Sequence, residues 1–192
     1  GRGGGGGTAG AVNGGGGGIV RGGGAGEVVG AALTDNVAEA TEGVAQGGGL
    51  LSTGTANLVS TVVENNVART ASATWPATGG GVSNFGDLTM HDARLVGNLA
   101  DSGWIAQGGG LSNSQTASGA RGTARLTSTL IAANVANASA KDDVGGGVLV
   151  YRGTLRLLNG SGVRGCVVNR AGADDAHGGG IFNSGGAVAK VG

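Results

Sequence analysis

A Gly-Gly-Gly triplet followed by an aliphatic residue recurs six times in this chain, at Gly16 to Ile19, Gly47 to Leu50, Gly79 to Val82, Gly108 to Leu111, Gly145 to Val148 and Gly178 to Ile181. The steps between triplets are 31, 32, 29, 37 and 33 residues. Self-similarity at such a period is the signature of a repeat architecture, in which one small unit stacks on the next. A second mark, Asn-x-Ala, falls between successive triplets at Asn36, Asn66, Asn98, Asn134 and Asn169. Three residues before each Asn stand Leu33, Val63, Leu95, Ile131 and Cys166, and eight before the first four stand Val28, Leu58, Met90 and Leu126. Each unit therefore reads as three short apolar stretches punctuated by Gly and Asn, with no helical period.

Three short strands in a unit of about 32 residues predict an all-β parallel β-helix of five to six coils. Like residues of neighbouring coils then form columns about 4.8 Å apart. Composition agrees once the columns are recognised. Glycine supplies 47 of 192 residues, yet collagen is excluded by a single proline, Pro76, and disorder leaves the fixed columns unexplained. A Gly triplet suits a sharp turn needing positive φ, or a place where stacked backbones approach closely. The five Asn predict a structural hydrogen-bonded ladder at Asn36, Asn66, Asn98, Asn134 and Asn169. Residues 1–30 form a Gly-rich irregular segment or degenerate coil, and residues 31–192 the repeats, ending within a unit and so read as a fragment of a longer chain. Loops are expected between each Asn-x-Ala and the next triplet, around Trp75-Pro76, Trp104, Asp142-Asp143 and Asp174-Asp175, with another at Gln115 to Gly122.

Lys plus Arg and Asp plus Glu are both 12, so the formal charge is zero, which gives no footprint for nucleic acid. No apolar run is long enough to span a membrane. One cysteine excludes an internal disulfide. Cys166 is expected to be a buried thiol in the apolar column.

The six triplets resemble the Gly-Gly-x-aliphatic tetrad of polymorphic outer membrane proteins and autotransporter passenger adhesins. The segments Leu33 to Asn36, Val63 to Asn66, Leu95 to Asn98, Ile131 to Asn134 and Cys166 to Asn169 are similar to the Phe-x-x-Asn tetrad of the same group, with a smaller residue in place of the aromatic. The resemblance implies a right-handed parallel β-helix, an extracellular or outer membrane-associated location, and an adhesive or structural role. The partners implied are a surface protein, a polysaccharide or neighbouring coils of the same longer chain.

The alternative within the same fold is a carbohydrate-binding or carbohydrate-active β-helix of the polysaccharide lyase and hydrolase type. Such enzymes need clustered carboxylates as an acid/base pair or as Ca²⁺ ligands. The best cluster is Asp142, Asp143, Asp174 and Asp175 with His177, because Asp142 and Asp175 both stand three residues ahead of a triplet and would stack. These four are weak Ca²⁺ candidates beside a reading as solvated loop charges. No catalytic or other cofactor-binding residue is assigned, and five aromatic residues are few for sugar platforms. Arg121, Arg125, Arg152 and Arg156 fall on adjacent coils as a solvated face or a seat for an anionic ligand. His91 and His177 are isolated. Asn137 and Asn159 open glycosylation sequons, relevant in a eukaryotic secretory setting.

Overall fold

Alternation of small or aliphatic residues with polar ones puts one side of each short segment inside and the other in water. The strand Asp87–His91 shows it directly, with Leu88 and Met90 buried and Asp87, Thr89 and His91 exposed. In the computed structural model, which describes residues 14–15, 17–141, 143–170 and 175–191, such segments stack as a parallel β-solenoid of about five turns. Among the described residues there is no helix.

Each coil carries five faces, taken in order from the triplet. In one coil they are Leu50–Ser52, Thr55–Val59, Val62–Glu64, Val67–Thr70 and Ala77–Thr78. Each face is a parallel sheet of five or six strands, one from each successive coil. The three apolar stretches expected per coil thus resolve into five strand segments. The reason is backbone conformation: residues in the left-handed region break the chain at Ser60 (φ 48°) and Asn65 (φ 54°), corners too short to register as loops in the sequence. The column recurs in each coil, with Asp35, Gly97, Ala133 and Gly165 equivalent to Asn65.

The register matches the columns of the sequence. Val28, Leu58, Met90, Leu126 and Leu157 pair successively on the second face, and Leu33, Val63, Leu95, Ile131 and Val163 on the third. The segment set apart as residues 1–30 contributes Ile19–Arg21 and Ala25–Val29, which pair in register with the next coil; residues 1–13 and 16 lie outside the described set.

The interior is divided in two. Large aliphatics, among them Leu50, Leu58, Leu88, Leu95, Leu111 and Ile131, fill one lumen. A second, narrower lumen between the fourth and fifth faces has alanine as its apolar lining, including Ala45, Ala68, Ala77, Ala100, Ala106 and Ala136, with buried Thr70 and Ser102 in the same columns. Between the two lumens the triplet crosses against the Asn column. The first Gly takes positive φ, 61° at Gly79 and 64° at Gly108. The next two have no room for a side chain: a Cβ on Gly80 would lie 2.3 Å from the carbonyl carbon of Leu99, and one on Gly81 would lie 2.9 Å from the Asn98 side chain.

The Asn column forms a continuous buried ladder. Asn66 donates its backbone N–H and its Nδ2 to Asn98 Oδ1, each at 3.0 Å, and Nδ2 also donates to Leu33 O at 2.7 Å. Asn98 repeats this toward Asn134 Oδ1 (2.9 and 2.9 Å) and Val63 O (3.0 Å), and Asn36 donates to Asn66 in the same way. Both hydrogens and both lone pairs of a central carboxamide are thereby used.

The ladder does not include Asn169. Val135 pairs with Val167, which sets Cys166 opposite Asn134 and Asn169 opposite Asn137 on the fourth face. Cys166 therefore stands in the Asn column, only partly buried, and Val163 takes the apolar position assigned to it in the sequence. One extra residue at the Asn159 to Ser161 corner shifts the fifth unit, and the Asn-x-Ala string at Asn169 imitates the mark three residues late. Sulfur is a poor acceptor, and Asn134 Nδ2 meets Cys166 Sγ at 3.8 Å where other rungs have oxygen at 2.8–3.0 Å. Cys166→Asn is expected to extend the ladder by one rung and stabilise the protein by about 1 kcal/mol. Urea unfolding checks it; an unchanged or lowered midpoint would sink the register.

Candidate functional site

The outward positions of the solenoid form columns, as the inward ones do. On the fourth face the column runs Glu39, Arg69, Asp101, Asn137 and Asn169. Arg69 Nε lies 3.4 Å from Glu39 Oε1, both about half exposed, and Asn137 Nδ2 donates to Asp101 Oδ1 at 2.7 Å. Thr41, Ser102 and Ser139 complete a shallow depression of about 390 Å³ along these rungs. Opposite charges alternate on the first three of these rungs, the exposed Arg69–Glu39 pair contributing roughly 0.2–1 kcal/mol, and Asp101 is held by the neutral Asn137.

The four aspartates named as Ca²⁺ candidates divide differently. Asp142 and Asp174 lie outside the described residues. Asp143 is buried, and its Oδ2 accepts the Ala138 N–H at 2.9 Å. Its own N–H donates to the carbonyl of Asp175, whose side chain is exposed. One carboxylate is thus engaged inside the rod, while the other belongs to a surface residue. Among the described residues no three His, Cys, Asp or Glu side chains gather into a metal-binding group. His177 stacks on Phe182 at 5.6 Å, and His91 Nδ1 lies 2.8 Å from its neighbour Asp92.

The four arginines are brought together. Arg125 pairs with Arg156 on the second face, and Arg121 and Arg152 each stand four residues earlier, before the equivalent glycines Gly122 and Gly153. All four are exposed. The guanidinium of Arg152 lies 5.4 Å from the centre of the Tyr151 ring.

A second Asn pair escapes a reading of the sequence. Asn84 and Asn113, both buried, stand three residues after their triplets and pair in register. Asn84 Nδ2 donates to Asn113 Oδ1 at 2.8 Å and to Thr123 O at 3.0 Å. Asn113 Nδ2 donates to Gly122 O at 3.1 Å and Thr154 O at 2.9 Å. The signal is the Asn that follows three of the six triplets, at 84, 113 and 183, weakened by Ser52 and Val150 in the same column. These carboxamides hold the corner that leads into the arginine-bearing strands. No helix among the described residues is long and apolar enough to cross a membrane. In comparisons with known proteins, no family model, curated protein or solved structure matches the chain.

Proposed function

We propose that the chain is a non-catalytic structural or adhesive rod segment of a cell-surface or secreted protein. The observation that carries this reading is the buried Asn ladder, which couples each coil to the next through side-chain hydrogen bonds as well as sheet pairing. A rod coupled rung by rung resists bending and holds outward columns at fixed spacing, which suits a spacer that displays a surface. Support also comes from the resemblance of its Gly-Gly-Gly-aliphatic units to those of polymorphic outer membrane proteins and autotransporter passengers. On the fourth face, both acidic side chains have partners within their own column, Glu39 in Arg69 and Asp101 in Asn137. Incubation with uronate polymers, reading unsaturated ends and reducing ends, tests the absence of catalysis. The expected result is no turnover by the wild type; turnover that disappears in Asp143→Asn or Asp175→Asn would overturn the reading in favour of a carbohydrate-active β-helix. An antibody against the rod should label intact source cells or their medium, and signal confined to the cell interior would overturn the location.

A further inference from the structure

Two adjacent strands of the second face carry nearly the same five residues, Arg121-Gly122-Thr123-Ala124-Arg125 and Arg152-Gly153-Thr154-Leu155-Arg156. They are stacked in register, Thr123 on Thr154 and Arg125 on Arg156. Neighbouring strands are about 4.8 Å apart, and like charges directly opposite one another are destabilising. Other charged columns are arranged differently: Arg69 stands between Glu39 and Asp101, and Glu27 accepts a hydrogen bond from Asn57. Arg125 and Arg156 make no ion pair among the described residues. The nearest carboxylate in the register, Asp87, accepts the hydroxyl of Thr123.

The two guanidinium groups flank a depression of about 380 Å³ lined by Thr123, Ala124, Arg125, Thr154 and Arg156. Its backbone is fixed from below. Asn113, buried, ties the carbonyls of Gly122 and Thr154, and the Thr154 N–H donates to Gly122 O at 2.9 Å. The arginines therefore rise from a preorganised base, and forked guanidinium donors match the oxygens of an oxyanion.

We propose that the stacked Arg-Gly-Thr-x-Arg strands form an oxyanion-binding site, taking a sulfate, phosphate or carboxylate group between Arg125 and Arg156. The bound charge replaces the missing counter-ion and turns a repulsive pair into a bridged one. Arg121 and Arg152 lie four residues back, at the corner that precedes the two strands (Arg152 φ 53°), where they meet a second acidic group of a polymeric ligand. The site needs only these two coils and stands independently of the rod's role.

Thermal unfolding in sodium sulfate against sodium chloride at equal ionic strength tests it. The wild type should show a saturable extra rise in Tm of about 3 °C in sulfate. That excess should vanish in Arg125→Gln and in Arg156→Gln and persist in Arg94→Gln, an exposed arginine on the third face. In low salt both Gln variants should melt no lower than the wild type, because the repulsion is gone. Equal responses to the two salts, or a sulfate excess that survives in the Gln variants, would overturn the site. Titration with galacturonate and with polygalacturonate then separates the sources. Tighter binding per uronate in the polymer, weakened by Arg121→Gln, identifies an acidic polymer; equal binding per uronate identifies a single oxyanion group.

Discussion

Replacing Gly109 by Ala is expected to destabilise the solenoid by about 3 kcal/mol or more. A Cβ there would lie 2.2 Å from Val135 O, 2.4 Å from Val135 C and 2.5 Å from Gly146 O. All three are backbone atoms, so no side chain can rotate away. Relief requires either pushing the triplet off the Asn column within the coil or spreading two coils, and each breaks ladder hydrogen bonds. Gly162→Ala is the control, since its added Cβ meets nothing within 4 Å and its φ is ordinary. That variant should be neutral or gain a few tenths of a kcal/mol through the unfolded chain. Urea midpoints decide, and similar midpoints for the two variants would refute the crossing as a point with no room for a side chain.

The second large effect is expected at Asn98. Asn98→Ala strips the acceptor from two Asn66 donors and removes a donor from both Val63 O and Asn134 Oδ1. Each orphaned buried group costs about 1–3 kcal/mol, so a total of about 3–5 kcal/mol is expected. Asn36→Ala, at the first rung, should cost about 1–2 kcal/mol, because among the described residues its side chain makes one hydrogen bond, to Asn66. Asn98→Asp keeps the shape but loses the Nδ2 donor and buries a charge, and should be at least as damaging as Ala. If Asp behaved like Asn, packing rather than hydrogen bonding would explain the column. Because stability in a stack of repeats is a sum over neighbouring units, loss at a central rung should also broaden the transition.

Much of this is legible in the sequence because the repeat itself is a long-range contact map. Residues 30–36 apart, such as Asn36, Asn66, Asn98 and Asn134, fall in one column without any coordinates, and the column is real. Legibility fails where one residue imitates another. Asn169 carries the right string at the wrong height, while Cys166, which looks apolar, occupies the ladder position. The five-face cross-section is hidden because its corners are single residues of left-handed conformation, and Ser60 or Ala133 do not announce that conformation as Gly or Asn would. The alanine lumen shows in the sequence only as the tail of Asn-x-Ala. For the outer face, the sequence names the four arginines but cannot set their register, which depends on the loop at Gln115 to Gly122 leaving the following strand in phase. Of the acidic residues, spacing predicts a position along the rod but not an orientation: Asp143 turns its carboxylate to the backbone of Ala138.

The crossing between triplet and Asn column also explains how coils of unequal length can share one rod. Steps of 29 and 37 residues would put an ordinary sheet stack out of phase, and every later coil would inherit the slip. Here the turns pass through a gap that admits only glycines against a carboxamide, or against Cys166 in the fifth unit, so the count restarts at each pass. Length changes are confined to the corner where they occur, as the extra residue at the Asn159 to Ser161 corner illustrates. A gene for such a rod can gain or lose loop residues one coil at a time, and errors do not accumulate along it.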